Sequence, residues 1–75
     1  METVHDPATF GAAIRKRRRE KGLPQTQLAE LTGVSLRLIS ELERGRGSVS
    51  FDRALRIAQR LALDVCLRPR ERSDG

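Results

Sequence analysis

Catalytic chemistry has little to work with in this chain. His5 stands alone near the start, and Cys66 has no histidine close to it in sequence. No glycine-rich phosphate loop occurs, and no His, Cys or carboxylate pairs have metal-ligand spacing. The expectation is therefore no enzyme, no metal and no cofactor. Arginine is the abundant chemical group, supplying thirteen of the fifteen basic residues. Its guanidinium is a planar fork of donors that suits phosphate oxygens and guanine edges. Against ten acidic residues the net charge is +5 and the pI near 11, which points to nucleic acid or an acidic partner. The blander reading is a well-solvated surface, since +5 lies within the range of small soluble domains.

The elements that position these groups are short. Seventy-five residues make one domain, and a chain of this size buries only about 60% of its unfolded surface, so its core is marginal. With two Phe and no Trp or Tyr, the core must come from Leu, Ile, Val and Ala. A single cysteine excludes an internal disulfide. No apolar run approaches the roughly 20 residues of a membrane span, and "METVHDPATF" lacks the regions of a signal peptide. A cytoplasmic protein with no membrane partner is expected.

Asp6-Pro7 reads as a helix start, with Asp capping free amides and Pro losing no needed donor. Phe10, Ala13 and Ile14 mark the inner face of this first helix, which runs to about Lys21 before Gly22. "PQTQLAELTG" is a second helix with Leu28, Ala29 and Leu31 facing inward. Ser35 caps a third, whose Leu38, Ile39 and Leu42 share a face before Gly45. After the loop "GRGSVS", Ser50 caps a fourth, with Phe51, Ala54, Leu55, Ala58 and Leu61 on its buried side and Asp52 suiting the helix dipole. Leu63, Val65 and Leu67 then alternate with Asp64, Cys66 and Arg68, the period of a half-buried strand. The low hydrophobicity of "RPRERSDG" predicts a disordered basic tail over 69–75.

Residues 22–45, "GLPQTQLAELTGVSLRLISELERG", place two helices around a tight turn at Thr32-Gly33-Val34. Such a helix-turn-helix sets its second helix in the DNA major groove, with the N-terminal residues at base edges. The order "AIRKRRREKGL", Gln25, "LAELTGVS", Ile39 and "ELERG" resembles the Cro/C1-type (XRE-like) helix-turn-helix domains over about residues 10–63. One departure is Pro24, where the family more often has a capping Ser or Thr.

The resemblance implies an ion pair between Arg18 of helix 1 and Glu43 at the end of the recognition helix, which also aims Arg18 near the DNA backbone. It implies base reading by Ser35, Leu36, Arg37, Ser40 and Glu41. All five lie off the Leu38–Ile39–Leu42 face; Arg37 can make two hydrogen bonds to guanine and Leu36 can touch a thymine methyl. The alternative for Leu36 is a plain exposed leucine. Phosphate contacts fall to Gln25, Thr26 and the amides of helix 2, to Arg18, and to Arg44 and Arg46 beside flexible glycines. Arg53, Arg56 and Arg60 read either as a solvated face or as a surface for an acidic protein.

Repressors of this type are usually dimers on a palindromic operator, and Leu63, Val65 and Leu67 can pair with the same residues of a second copy. The stretch "SVSFDRALRIAQRLALDVCLRPR" resembles the narrower group of HipB-like antitoxins. The layout expected is an all-α, four-helix domain over 7–62 after a flexible 1–6, with a dimerisation strand over 63–68 expected to pair across a homodimer. The HipB likeness implies repression of the protein's own operon and binding of a HipA-like Ser/Thr kinase toxin. The competing expectations are a stand-alone regulator such as a phage repressor or restriction-modification controller, a module that only docks a protein, and an RNA-binding domain. The last is disfavoured by the scarcity of aromatic stacking residues.

Overall fold

A computed structural model describes residues 3–70 of the chain. Four helices follow one another: α1 Pro7–Glu20, α2 Gln25–Thr32, α3 Leu36–Glu43 and α4 Phe51–Arg60. Their starts are built as the sequence dictates. The Asp6 carboxylate accepts the Thr9 amide at 2.8 Å, and the Thr9 hydroxyl in turn accepts the Asp6 amide at 3.1 Å. This reciprocal capping box satisfies two donors that helix geometry leaves free. Ser35 and Ser50 cap α3 and α4 by accepting the amides of Leu38 and Arg53. α2 begins after Pro24 with no side-chain cap. It ends at Gly33, whose φ of 72° closes the turn in a conformation that costs glycine little.

α3 packs against α1 and α2, and α2 packs also against α4. Ile14, Leu28, Ile39, Ile57 and Leu61 are fully buried where these helices meet. The closeness of α1 to α3 depends on Gly11, because a Cβ there would collide with the Leu42 carbonyl oxygen. Larger residues would force the two backbones apart.

Two expectations need correction. Leu31 is 41% exposed and Phe51 is 73% exposed, so neither belongs to the core of one copy. Leu31 sits one position round from the Leu28–Thr32 stripe that α2 buries, and Phe51 opens α4 on its outer side. No strand forms among the described residues. After Leu61 the chain turns through Ala62, and Leu63 packs partly against the core. Val65 is half exposed and Leu67 almost fully so. Alternation over 63–68 is real in the sequence, but one copy offers it no ladder to join. Residues 71–75 of the expected tail, and Met1 and Glu2, lie outside the described residues. Among those described, no helix is long and apolar enough to cross a membrane.

Candidate nucleic-acid interface

α3 presents a polar outer face. Its N-terminal residues Ser35, Leu36 and Arg37 are exposed, while Leu38, Ile39 and Leu42 turn inward. The Ser35 hydroxyl oxygen is engaged in capping but keeps its own proton to donate. Arg37 is held loosely: Nε donates to Glu41 Oε2 at 3.3 Å, and its side chain is 85% exposed. An exposed i,i+4 pair of this kind contributes only about 0.3–0.5 kcal/mol, so a better acceptor can displace it. Ser40 is half-buried and accepts from Arg44 Nη2 at 2.7 Å. The expected base-reading residues thus share one helix, with Ser40 and Glu41 already engaged by neighbouring arginines.

Behind this face lies the pair expected between Arg18 and Glu43. Arg18 Nε donates to Glu43 Oε2 at 2.6 Å and Nη2 to Oε1 at 2.9 Å. Nη1 donates to the Leu23 carbonyl at 2.7 Å, and Gln25 Nε2 donates the third bond to Glu43, on Oε1 at 3.0 Å. Hydrogen bonding to Glu43 raises the Arg18 pKa above its ordinary value, against the opposing effect of burial. The network ties α1, α3 and the start of α2 together. It also engages the Gln25 amide nitrogen, so the Gln25 side chain serves the scaffold as well as any ligand. Arg15, Arg18, Gln25, Ser40 and Arg44 line a shallow depression above it.

The remaining arginines divide by what they touch. Arg56 Nη1 donates to the Thr32 carbonyl at 3.3 Å and Arg60 Nε to the Leu31 carbonyl at 3.2 Å. These oxygens belong to the last turn of α2 and have no partner within that helix. Arg17 Nε does the same for Leu61 at the end of α4, at 2.9 Å. Arg56, which also pairs with Asp52 at 3.0 Å, and Arg60 thus reach from α4 to close the end of α2, and both remain exposed, as does Arg53. Sequence reading missed this use, because a C-terminal carbonyl has no residue signature and the capping arginine lies far away in the chain. The only hint was the spacing of Arg56 and Arg60 at one helical turn. Among the described residues no cluster of potential metal ligands occurs.

Residues 14–66 match the helix-turn-helix family. The HTH-type transcriptional regulator y4mF of Sinorhizobium fredii is 37% identical over 70 residues, covering 92% of each chain. The crystal structure of the restriction-modification controller protein C.AhdI from Aeromonas hydrophila superposes with a TM-score of 0.72. It is 34% identical and covers 77% of this chain and 88% of the other. A chain of the HipA-HipB-O2-O3 complex superposes with a TM-score of 0.82 over 95% of this chain and 100% of its own, at 22% identity, a likeness of fold alone. The turn between α2 and α3, the buried Arg18–Glu43 pair and these relatives agree: the chain belongs to the Cro/C1-type helix-turn-helix family of DNA-binding transcriptional regulators.

Proposed function

We propose that the protein is a sequence-specific repressor that binds a palindromic operator as a homodimer, each copy laying α3 in a major groove. The exposed N-terminal half of α3, with Arg37 only weakly held, carries this reading. Ser35, Leu36, Arg37, Ser40 and Glu41 read bases. Gln25, Thr26, Arg18, Arg44 and Arg46 hold the phosphates on either side and fix the register. Leu63, Val65 and Leu67 complete the dimer by pairing across the two-fold axis. The operator can be recovered by selecting duplexes from a random pool with the wild-type protein. On the selected duplex, Arg37→Ala should lose about 1–3 kcal/mol and relax one base position, while Arg46→Ala should weaken all duplexes and lower the salt slope by about one. Equal losses for Arg37→Ala on selected and random DNA would count against base reading.

Within that reading, the protein acts in the cytoplasm as the antitoxin of a HipBA-type module, repressing its own operon and binding a HipA-like Ser/Thr kinase. The observation in favour is coverage. The HipB likeness extends over 95% of this chain, past α4, whereas the C.AhdI likeness stops at 77%. The second reading, a stand-alone regulator without a toxin, is favoured by the higher identity of y4mF and C.AhdI. Affinity capture from the native host, with partners identified by mass spectrometry, separates them. A stoichiometric kinase-like partner supports the antitoxin; recovery of the protein with its own copies and DNA alone supports the free-standing regulator.

A further inference from the structure

Arg15 and Arg19 are exposed on α1, and neither has a hydrogen bond or ion pair among the described residues. Spaced i,i+4, they stand on one face about 6 Å apart along the helix axis. Arg15 lines two depressions at once, one shared with Gln25, Ser40 and Arg44, the other with Arg19. A largely positive surface therefore runs from Arg44 at the end of α3, across Arg15, to Arg19. Two carboxylates line it: Glu43 is buried against Arg18, and Glu20 is half-exposed and pairs with Arg17 at 3.4 Å.

We propose that the Arg15–Arg19 face of α1 is a second phosphate-binding surface, gripping the DNA backbone beyond the stretch that α3 contacts. The inference rests on the DNA-binding reading above. Two long guanidinium side chains at this spacing can reach neighbouring phosphates of one strand, and no internal partner has to be given up. The surface adds sequence-independent affinity and lengthens the footprint. It differs from a solvated face in one measurable respect: neutralised phosphates release counterions, and solvated charges do not.

The test is the salt dependence of binding, read by fluorescence anisotropy on the wild-type-selected duplex and on a random duplex of about three helical turns. Arg15→Ala/Arg19→Ala should make the slope of log K against log salt shallower by about two on both duplexes, with their affinity ratio unchanged. Arg15→Lys/Arg19→Lys should retain most of the slope. Lys21→Ala, which removes a cation from the end of the same helix outside both depressions, should leave it nearly unaltered. Should the double variant melt early, Arg15→Gln and Arg19→Gln read singly, at about one each. An unchanged slope in the alanine variants, or an equal loss for Lys21→Ala, overturns the proposal. If Arg46→Ala alone lowers the slope, the α1 surface falls and the DNA-binding reading stands. If the wild type binds neither duplex, both fall.

Discussion

Glu43 accepts two hydrogen bonds from Arg18 and one from Gln25, with its side chain only 2% exposed. Removing its charge leaves a largely buried guanidinium without a counterion, which costs more than the intact pair contributes. Glu43→Gln should therefore destabilise the protein by about 3 kcal/mol or more in urea unfolding. A double replacement, Arg18→Met/Glu43→Leu, should recover much of that loss while still binding DNA more weakly, because Arg18 is gone from the phosphate surface. Recovery of both stability and affinity would confine Arg18 to the scaffold. Asp6 makes a second prediction. The Thr9 amide, and then its hydroxyl, hold the Asp6 carboxyl below its ordinary value of 3.8. A depressed folded pKa means the cap contributes fully above the unfolded value and is lost as pH falls through the folded one. The stability difference between wild type and Asp6→Ala should thus shrink below pH 3.8 and vanish in stronger acid; a difference that persists there would show the cap acting without its charge. The Arg18–Glu43 pair was legible from a family likeness. The share of Gln25 in it was not, since only the folded chain brings the start of α2 to the end of α3.

Besides side-chain packing, the elements are tied by side chains that reach backbone groups of other helices. α2 has no side-chain cap at its start, and at its end Arg56 and Arg60 reach across from α4 to the carbonyls of Thr32 and Leu31. These bonds hold the arm of the turn from which α3 departs. Each lies at or near solvent, so a net contribution of about 0.5–1 kcal/mol is reasonable. Arg56→Ala/Arg60→Ala should lose about 1–2 kcal/mol in thermal or urea unfolding and reduce preference for the selected duplex over random DNA. The salt slope should stay unchanged, because these guanidiniums face carbonyls. A shallower slope would instead place them on phosphates. At the α1–α3 crossing, Gly11→Ala should cost about 1–3 kcal/mol by forcing the helices apart. Helix number, starts and stops were readable from Asp6, Ser35, Ser50, Gly22 and Gly33, because capping is local chemistry. The helix crossings were not, since Gly11 looks in sequence like a helix weakener and acts in the fold as a point of close approach.

At the scale of the whole molecule the core is small: among the described residues eight hydrophobic side chains are buried, and Phe51, Val65 and Leu67 are exposed. Val65 and Leu67 lie past α4 in the segment whose alternating pattern finds no ladder within one copy. A strand pattern without a strand is what a chain would show if its hydrogen-bonding partner were an identical segment on another copy. Leu63 packs partly on its own core, which anchors the start of the segment and leaves Val65 and Leu67 free to pair. An isolated two-stranded ribbon is marginal, so the helical surface beneath it must supply the rest of the burial. Val65→Asp tests this cleanly, because Val65 lies outside the core and its replacement should leave the helices folded by circular dichroism. On the proposed ribbon, the wild type should sediment as a dimer and the variant as a monomer at the same concentration. It should also bind a single half-site as well as the intact palindrome, losing the gain that comes from linking two sites. A variant that stays dimeric would move the interface away from this segment, with Phe51 at the start of α4 the next apolar side chain to replace.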